Sequence, residues 1–380
     1  MSASAAPLAL PPVSPTTWVP TDARALNERA LRNVEVLIER SQYADAIEAV
    51  GDINVPATSQ PELALRVLFA ESWARMYVGD LALSESLLER ARSLAEAPVF
   101  DDAARGEALF RLACCRSKTG RTSNAILLFT EALRLMGSSD GLRARVLDWR
   151  SRCYQVQREW DAARADAERS LELAEAAADE RGRADALFQC SLIAERGGDA
   201  LLGRFYAEAA RDAYAQIGDR GAEARILNNL GGLQFLLGDA AEAVALLQQS
   251  FALALEVGNE ADAAQAVSSL AQVHLRCGAP QLAEKQARHA LTILERRDDY
   301  LDELGNVHLV LGRALLDQGR TVEANQAFAA AEWTFERLGS RSHVAAVWTA
   351  QGDAYRLLGD VDAAADLYRR AAEALQDFHF

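Results

Sequence analysis

Small residues return in this 380-residue chain at a nearly constant interval, and that recurrence restricts the fold more than any other property of the sequence. Aligned on the turn after an amphipathic segment, LGGLQFLLGDAAEAVALLQQS places Gly231 seven residues before Gly238, Ala243 five after it and Ser250 twelve after it. LAQVHLRCGAPQLAEKQARHA repeats the pattern with Ala271, Gly278, Ala283 and Ala290, and LGRALLDQGRTVEANQAFAAA with Gly312, Gly319, Ala324 and Ala331. Toward the N-terminus the turns fall at Gly198, Arg158, Gly120, Gly79 and Ser41, which with Gly359 gives nine units spaced by 38 to 41 residues. Two helices cross closely only where the side chains between them are small, and glycine lets the backbone reverse after the first of the pair. The pattern therefore predicts an all-α stack of helix pairs. Ala and Leu make up much of the apolar half of the chain, and β-branched or aromatic runs are scarce, so no sheet is expected.

The last unit shows the pattern most fully, with Trp348, Gly352, Tyr355, Gly359, Ala364, Tyr368 and Ala371 in sequence. This spacing resembles the tetratricopeptide repeat. The resemblance implies a right-handed α-solenoid of about nine helix pairs over residues 23–380, and the Pro/Ala/Ser-rich composition of residues 1–22 reads as a disordered tail before it. The period is nearer forty than the roughly 34 residues of the standard unit, and is similar to that of kinesin light chains, the maltose-activator sensor domain and peptide-pheromone receptors. The first unit departs from the pattern, with Val34 at the small position and only Tyr43, Ala46 and Ile47 marking a second helix, and reads as a cap.

The formal net charge is -15, a field that repels nucleic acid and anionic lipid and favours basic partners or a locally basic pocket; the partner expected is a protein or peptide. Five cysteines, an odd number without a Cys-x-x-Cys pair, fit a reducing cytoplasm. The first twenty residues carry no basic residue, and Pro7, Pro11 and Pro12 interrupt their apolar run, so neither a signal peptide nor a membrane anchor is expected.

In tetratricopeptide arrays partners lie against the first helices of successive pairs. The corresponding positions here carry ten basic residues, Arg66, Arg111, Lys118, Arg145, Arg152, Arg196, Arg225, Arg276, Arg313 and Arg356, against six acidic ones, Glu107, Asp148, Asp185, Glu195, Asp317 and Asp353. A basic groove in an acidic protein suits an acidic or C-terminal-carboxylate peptide, because guanidinium forks pair with carboxylates. The same residues also read as ordinary solvated ion pairs. Phe69, Trp73 and Tyr77, spaced by four, with Phe110, Trp149 and Phe188, form an aromatic stripe of either anchors or core. Arg225, Asn228, Asn229, Gln265, Ser268, Ser269 and Gln272 form a polar stretch that can hold the amides of an extended peptide, or else face water. The resemblance does not extend to a chaperone-tail carboxylate clamp, since no Lys stands at the required position of any unit.

No constellation of chemistry accompanies these residues. The five histidines sit in separate segments without a nucleophile and carboxylate at recognisable spacing. His274 and Cys277 form at most half of a zinc site, Cys114 and Cys115 read as inert thiols, and Gly197, Gly198 and Asp199 fall on a repeat turn. No enzyme, metal or cofactor is expected. The last helix presents Leu367, Ala371 and Leu375, with Phe378 and Phe380 following, as an edge that a second copy of the chain or the tail carrying Trp18 would cover. The expected function is a cytoplasmic adaptor or scaffold that binds a polypeptide in its concave groove. The alternative is a regulator whose stack changes pitch when a peptide or small molecule binds.

Overall fold

The computed structural model describes residues 23–40, 42–53, 55–137, 140–294 and 301–376; the expected turn at Ser41, the tail with Trp18, and Phe378 and Phe380 lie outside them. Every regular element among the described residues is a helix, and the chain divides into two compact units after Gly137. The first holds α1 (Ala23–Glu39), α2 (Tyr43–Gly51), α3 (Pro61–Tyr77), α4 (Leu81–Ala95), α5 (Asp102–Lys118) and α6 (Thr122–Leu135). The second holds α7 (Asp140–Val156), α8 (Trp160–Ala176), α9 (Glu180–Arg196), α10 (Ala200–Ile217), α11 (Arg220–Leu236), α12 (Ala240–Glu256), α13 (Glu260–Arg276), α14 (Pro280–Leu294), α15 (Leu301–Asp317), α16 (Thr321–Leu338), α17 (Arg341–Leu357) and α18 (Val361–Gln376).

The turn inside each pair follows from two adjacent residues. Gly238, at φ 93°, takes the left-handed conformation that ends α11, and its N–H bonds the Phe235 carbonyl at 3.1 Å. Asp239 then caps α12 by accepting from the Glu242 N–H at 3.0 Å. Asp80, Asp199 and Asp360 do the same after Gly79, Gly198 and Gly359. Among the described residues two turns adopt this conformation without glycine, Arg158 at φ 61° and Ala178 at φ 52°, one at each end of α8.

The small positions fall where the helices of a pair touch. A Cβ on Gly231 would lie 2.6 Å from Leu247, one on Gly312 2.4 Å from Phe328, and one on Gly352 2.6 Å from Tyr368. Serine at the position twelve after the turn adds a tie: Ser250 Oγ donates to the Ala224 carbonyl at 2.7 Å and Ser170 Oγ to the Ala144 carbonyl at 2.8 Å. Both serines are buried, so each bond adds about 1 kcal/mol and fixes the register of second helix on first. Ala, Leu and the buried rings of Phe129, Phe328 and Phe335 fill the remaining core. In the second unit this packing lays the first helices, α7, α9, α11, α13, α15 and α17, side by side, each touching the next. At the end of the chain Ala371 is buried, Leu367 half-buried and Leu375 exposed.

Candidate functional site

A repeat of forty residues puts equivalent side chains of α9, α11 and α13 in rows across three neighbouring helices. Asp185, Arg225 and Gln265 form one row; Phe188, Asn228 and Ser268 the next; then Gln189, Asn229 and Ser269; Leu192, Gly232 and Gln272; and Arg196, Leu236 and Arg276. An open groove of about 530 Å³ runs over these rows in the second unit. Its walls include Phe188, Leu192, Glu195, Arg196, Arg225, Asn228, Gly232, Phe235, Gln265, Ser269, Gln272 and Arg276.

Three guanidinium groups border the groove. Arg225 pairs with Asp262 through a long hydrogen bond of 3.4 Å, while the Arg276 guanidinium lies 5.0 Å from the centre of the Phe235 ring. Neither Arg196 nor Arg276 forms an ion pair among the described residues. Burial raises the Glu195 carboxyl above its ordinary range, against the hydrogen bond from Asn229 and the charge of Arg196. Burial likewise raises Asp262, with Arg225 opposing. The groove wall carries Arg196, Arg225 and Arg276 against one carboxylate, Glu195, a positive balance in a chain of charge -15.

The two adjacent asparagines have opposite roles. Asn229 is buried, accepts from Ser191 Oγ at 2.8 Å and donates from Nδ2 to Glu195 Oε2 at 2.7 Å, bridging α9 and α11. Asn228 makes no hydrogen bond among the described residues, and its Oδ1 is buried without a donor. A buried carbonyl without a donor is costly, so Asn228 is a polar group in want of a partner.

The structure redistributes the residues singled out in the sequence. Arg225, Asn228, Asn229, Gln265, Gln272 and Phe188 meet at the groove. Ser268 does not: it is buried, and Ser269 takes its place on the wall. Phe69 and Phe110 of the first unit are core residues and not groove anchors, because the helix faces that carry them turn inward. Arg111 lies 4.7 Å over Phe69 and 5.3 Å from Trp73 while pairing with Glu107 at 2.7 Å, and Tyr77 stacks on Tyr43 at 4.7 Å. Arg66 is held by Glu35 at 2.6 Å. The aromatic stripe of the first unit is therefore occupied by its own cations and rings. In α7, Arg152 pairs with Asp148 at 3.0 Å and lies over Trp149 at 5.5 Å, and Arg145 is exposed; none of the three lines the groove of α9, α11 and α13. Leu192, Phe235 and Gly232 joined the site only in three dimensions, although the forty-residue offsets from Gln272 and Leu192 point to Gly232.

Stacked helix pairs with this turn chemistry define a tetratricopeptide-repeat solenoid. The tetratricopeptide-repeat family model matches residues 345–374, the unit with the fullest motif. Among solved structures the chain is similar to a Rap protein complexed with competence and sporulation factor, at 16% identity over 93% of this chain and 98% of that one, with a TM-score of 0.66. It is similar also to the apo form of the quorum sensor NprR from B. thuringiensis, at 12% identity over 93% and 99%, TM-score 0.65. A third is aspartyl phosphate phosphatase F from Bacillus subtilis, at 12% identity over 95% and 96%, TM-score 0.61. At these identities the likeness is one of fold. A search of curated proteins finds no match.

Proposed function

We propose that this protein is a non-catalytic binding module that holds an extended, carboxylate-bearing peptide across α9, α11 and α13. One observation carries the reading: in a single groove, Arg196 and Arg276 stand without carboxylate partners beside the unpartnered amide of Asn228. A peptide supplies what each of them lacks, with carboxylates for the guanidinium groups and a main-chain N–H for the amide oxygen. The fold's likeness to a protein crystallised with competence and sporulation factor, and to a quorum sensor, supports a ligand-binding role.

The groove also favours a regulator over a passive scaffold. Arg225–Asp262 and Asn229–Glu195 join α11 to its neighbours on either side, and Arg225 lies on the ligand's path. A carboxylate that recruits Arg225 competes with Asp262 and loosens α11 from α13, so binding and helix spacing are coupled. The test is fluorescence anisotropy against a positional-scanning library of hexapeptides, in free-carboxylate and amidated forms. Acidic members should bind, and Arg196→Glu with Arg276→Glu should weaken them at least tenfold. Equal binding of basic and acidic members, or no effect of the reversal, refutes the reading. Small-angle scattering with and without the best hexapeptide reads the coupling, since a scaffold keeps its dimensions.

A further inference from the structure

Two glycines stand together in the middle of α11, and only one of them has a structural reason. Glycine is among the poorest helix formers, so a helix interior retains it where something else demands it. Gly231 is demanded by packing, since a Cβ there would lie 2.6 Å from the Leu247 side chain and 3.2 Å from the Ala243 carbonyl. Gly232 is not: its Cβ would meet only Glu195 Oε1, at 3.9 Å, and its backbone is helical rather than left-handed. Yet Gly232 lines the groove. In its row α9 presents Leu192 and α13 presents Gln272, so the long side chains on both flanks leave a notch over the central helix.

One turn before the notch is Asn228, whose amide oxygen is buried without a donor. That oxygen is buried, so it meets a ligand in the groove only after a half-turn about the last side-chain torsion, which puts the amide nitrogen in its place. From these two independent features we infer that the ligand's main chain crosses α11 at Gly232, backbone-first, and that one of its N–H groups donates to Asn228. This rests on the peptide-binding reading and sharpens it. The ligand class is an extended peptide strand, because a helical peptide has already spent its N–H groups internally and cannot press its backbone into a notch one side chain deep. Gly232 is then a specificity-determining residue, selecting by close approach rather than by a contact of its own.

The test separates binding from stability by sign. Gly232→Ala should leave the melting temperature of the full chain unchanged or raise it by a few degrees, because alanine is the better helix former and has room. The same variant should weaken the best hexapeptide of the library at least tenfold, and Gly232→Gln, which copies Gln272 of the next helix, should abolish detectable binding. Gly231→Ala, as the control, should lower the melting temperature. Methylating the hexapeptide's backbone nitrogens one at a time should find one position whose loss is no longer additive with Asn228→Ala. A Gly232→Ala protein that binds as the parent does, or that melts lower as Gly231→Ala does, overturns the inference. If no hexapeptide binds the parent chain at all, the peptide-binding reading itself falls, an outcome distinct from intact binding with an indifferent Gly232.

Discussion

Asn228 and Asn229 are chemically identical neighbours on which the structure imposes opposite consequences, and replacing each by alanine tests the whole account of the groove. Asn229→Ala removes an amide that is 8% exposed and satisfies two other groups. The hydroxyl of fully buried Ser191 loses its acceptor, and Glu195 loses its 2.7 Å donor. A neutral hydrogen bond contributes about 1 kcal/mol and one to a charged group about 1.5–3 kcal/mol, so the substitution should cost roughly 2–4 kcal/mol. For a unit of this size that corresponds to a fall of about 5–12 °C in melting temperature. Asn228→Ala breaks no hydrogen bond and deletes a buried oxygen without a donor, so its effect on stability should stay within about 0.5 kcal/mol. Peptide affinity should follow the reverse order for Asn228, falling about fivefold to tenfold for the loss of one hydrogen bond. Thermal melts followed by circular dichroism at neutral pH, with anisotropy for the peptide, give both numbers. A larger loss of stability at Asn228 than at Asn229, or equal losses, refutes the assignment of roles.

Three further outcomes follow from the same coordinates. Arg158→Gly and Ala178→Gly relieve left-handed backbone at both ends of α8 and should each stabilise the chain by about 1 kcal/mol, read as a higher denaturant midpoint; a lower midpoint for both would show that the turns are not strained. Gly312→Ala forces a methyl to within 2.4 Å of the Phe328 ring and should destabilise by about 1–3 kcal/mol, with partial recovery in the double variant carrying Phe328→Leu. Affinity for an acidic hexapeptide should rise as pH falls from neutral toward the ordinary carboxylate range. Burial holds the Glu195 carboxyl above the ordinary range, so it takes up its proton while the peptide's own carboxylates, with pKa values near about 4, are still ionised. The same protonation removes a buried charge, so this group's contribution to stability also grows as pH falls through that interval. Glu195→Gln should flatten the affinity profile, and a profile unchanged by it would remove Glu195 from the groove's electrostatics.

The fold was readable because its physical requirements are local and repeated. Gly238 before Asp239 is a stop and a start in adjacent letters, and Gly231, Gly312 and Gly352 mark close crossings whatever the rest of the helix carries. The site was half readable. Arg225, Asn228 and Gln272 could be placed on one wall from spacing alone, whereas Phe69 and Phe110 could not be told from groove anchors. An aromatic ring serves core and surface equally, and only the rotation of α3 and α5 in the finished packing decides which. Ser268 and Ser269 show the same limit at finer scale: one residue of helix turns a side chain by about 100°, enough to bury the first and leave the second half-buried on the groove wall. Gly232 could be read as helix-breaking noise or as half of a packing pair until Leu247 was seen to account for Gly231 alone.

The boundaries of the groove follow from the same rows. The position that carries Phe188, Asn228 and Ser268 in α9, α11 and α13 carries Leu309 in α15, and the next carries Val310 after Gln189, Asn229 and Ser269. Both α15 residues are buried, so the polar floor ends there and apolar packing resumes. On the other side α7 places Asp148 and Trp149 in these rows; Asp148 is held by Arg152, and burial raises its carboxyl above the ordinary range. A peptide moving toward α7 meets an aspartate already paired with Arg152 and the Trp149 ring in place of amides, and one moving toward α15 loses its hydrogen-bonding floor. Three helices spaced about 8–10 Å apart span the length of roughly five or six extended residues, which sets the peptide length the groove can read. Lengthening the best hexapeptide at either end should therefore leave its affinity nearly unchanged, while trimming it to a tripeptide should lose most of it.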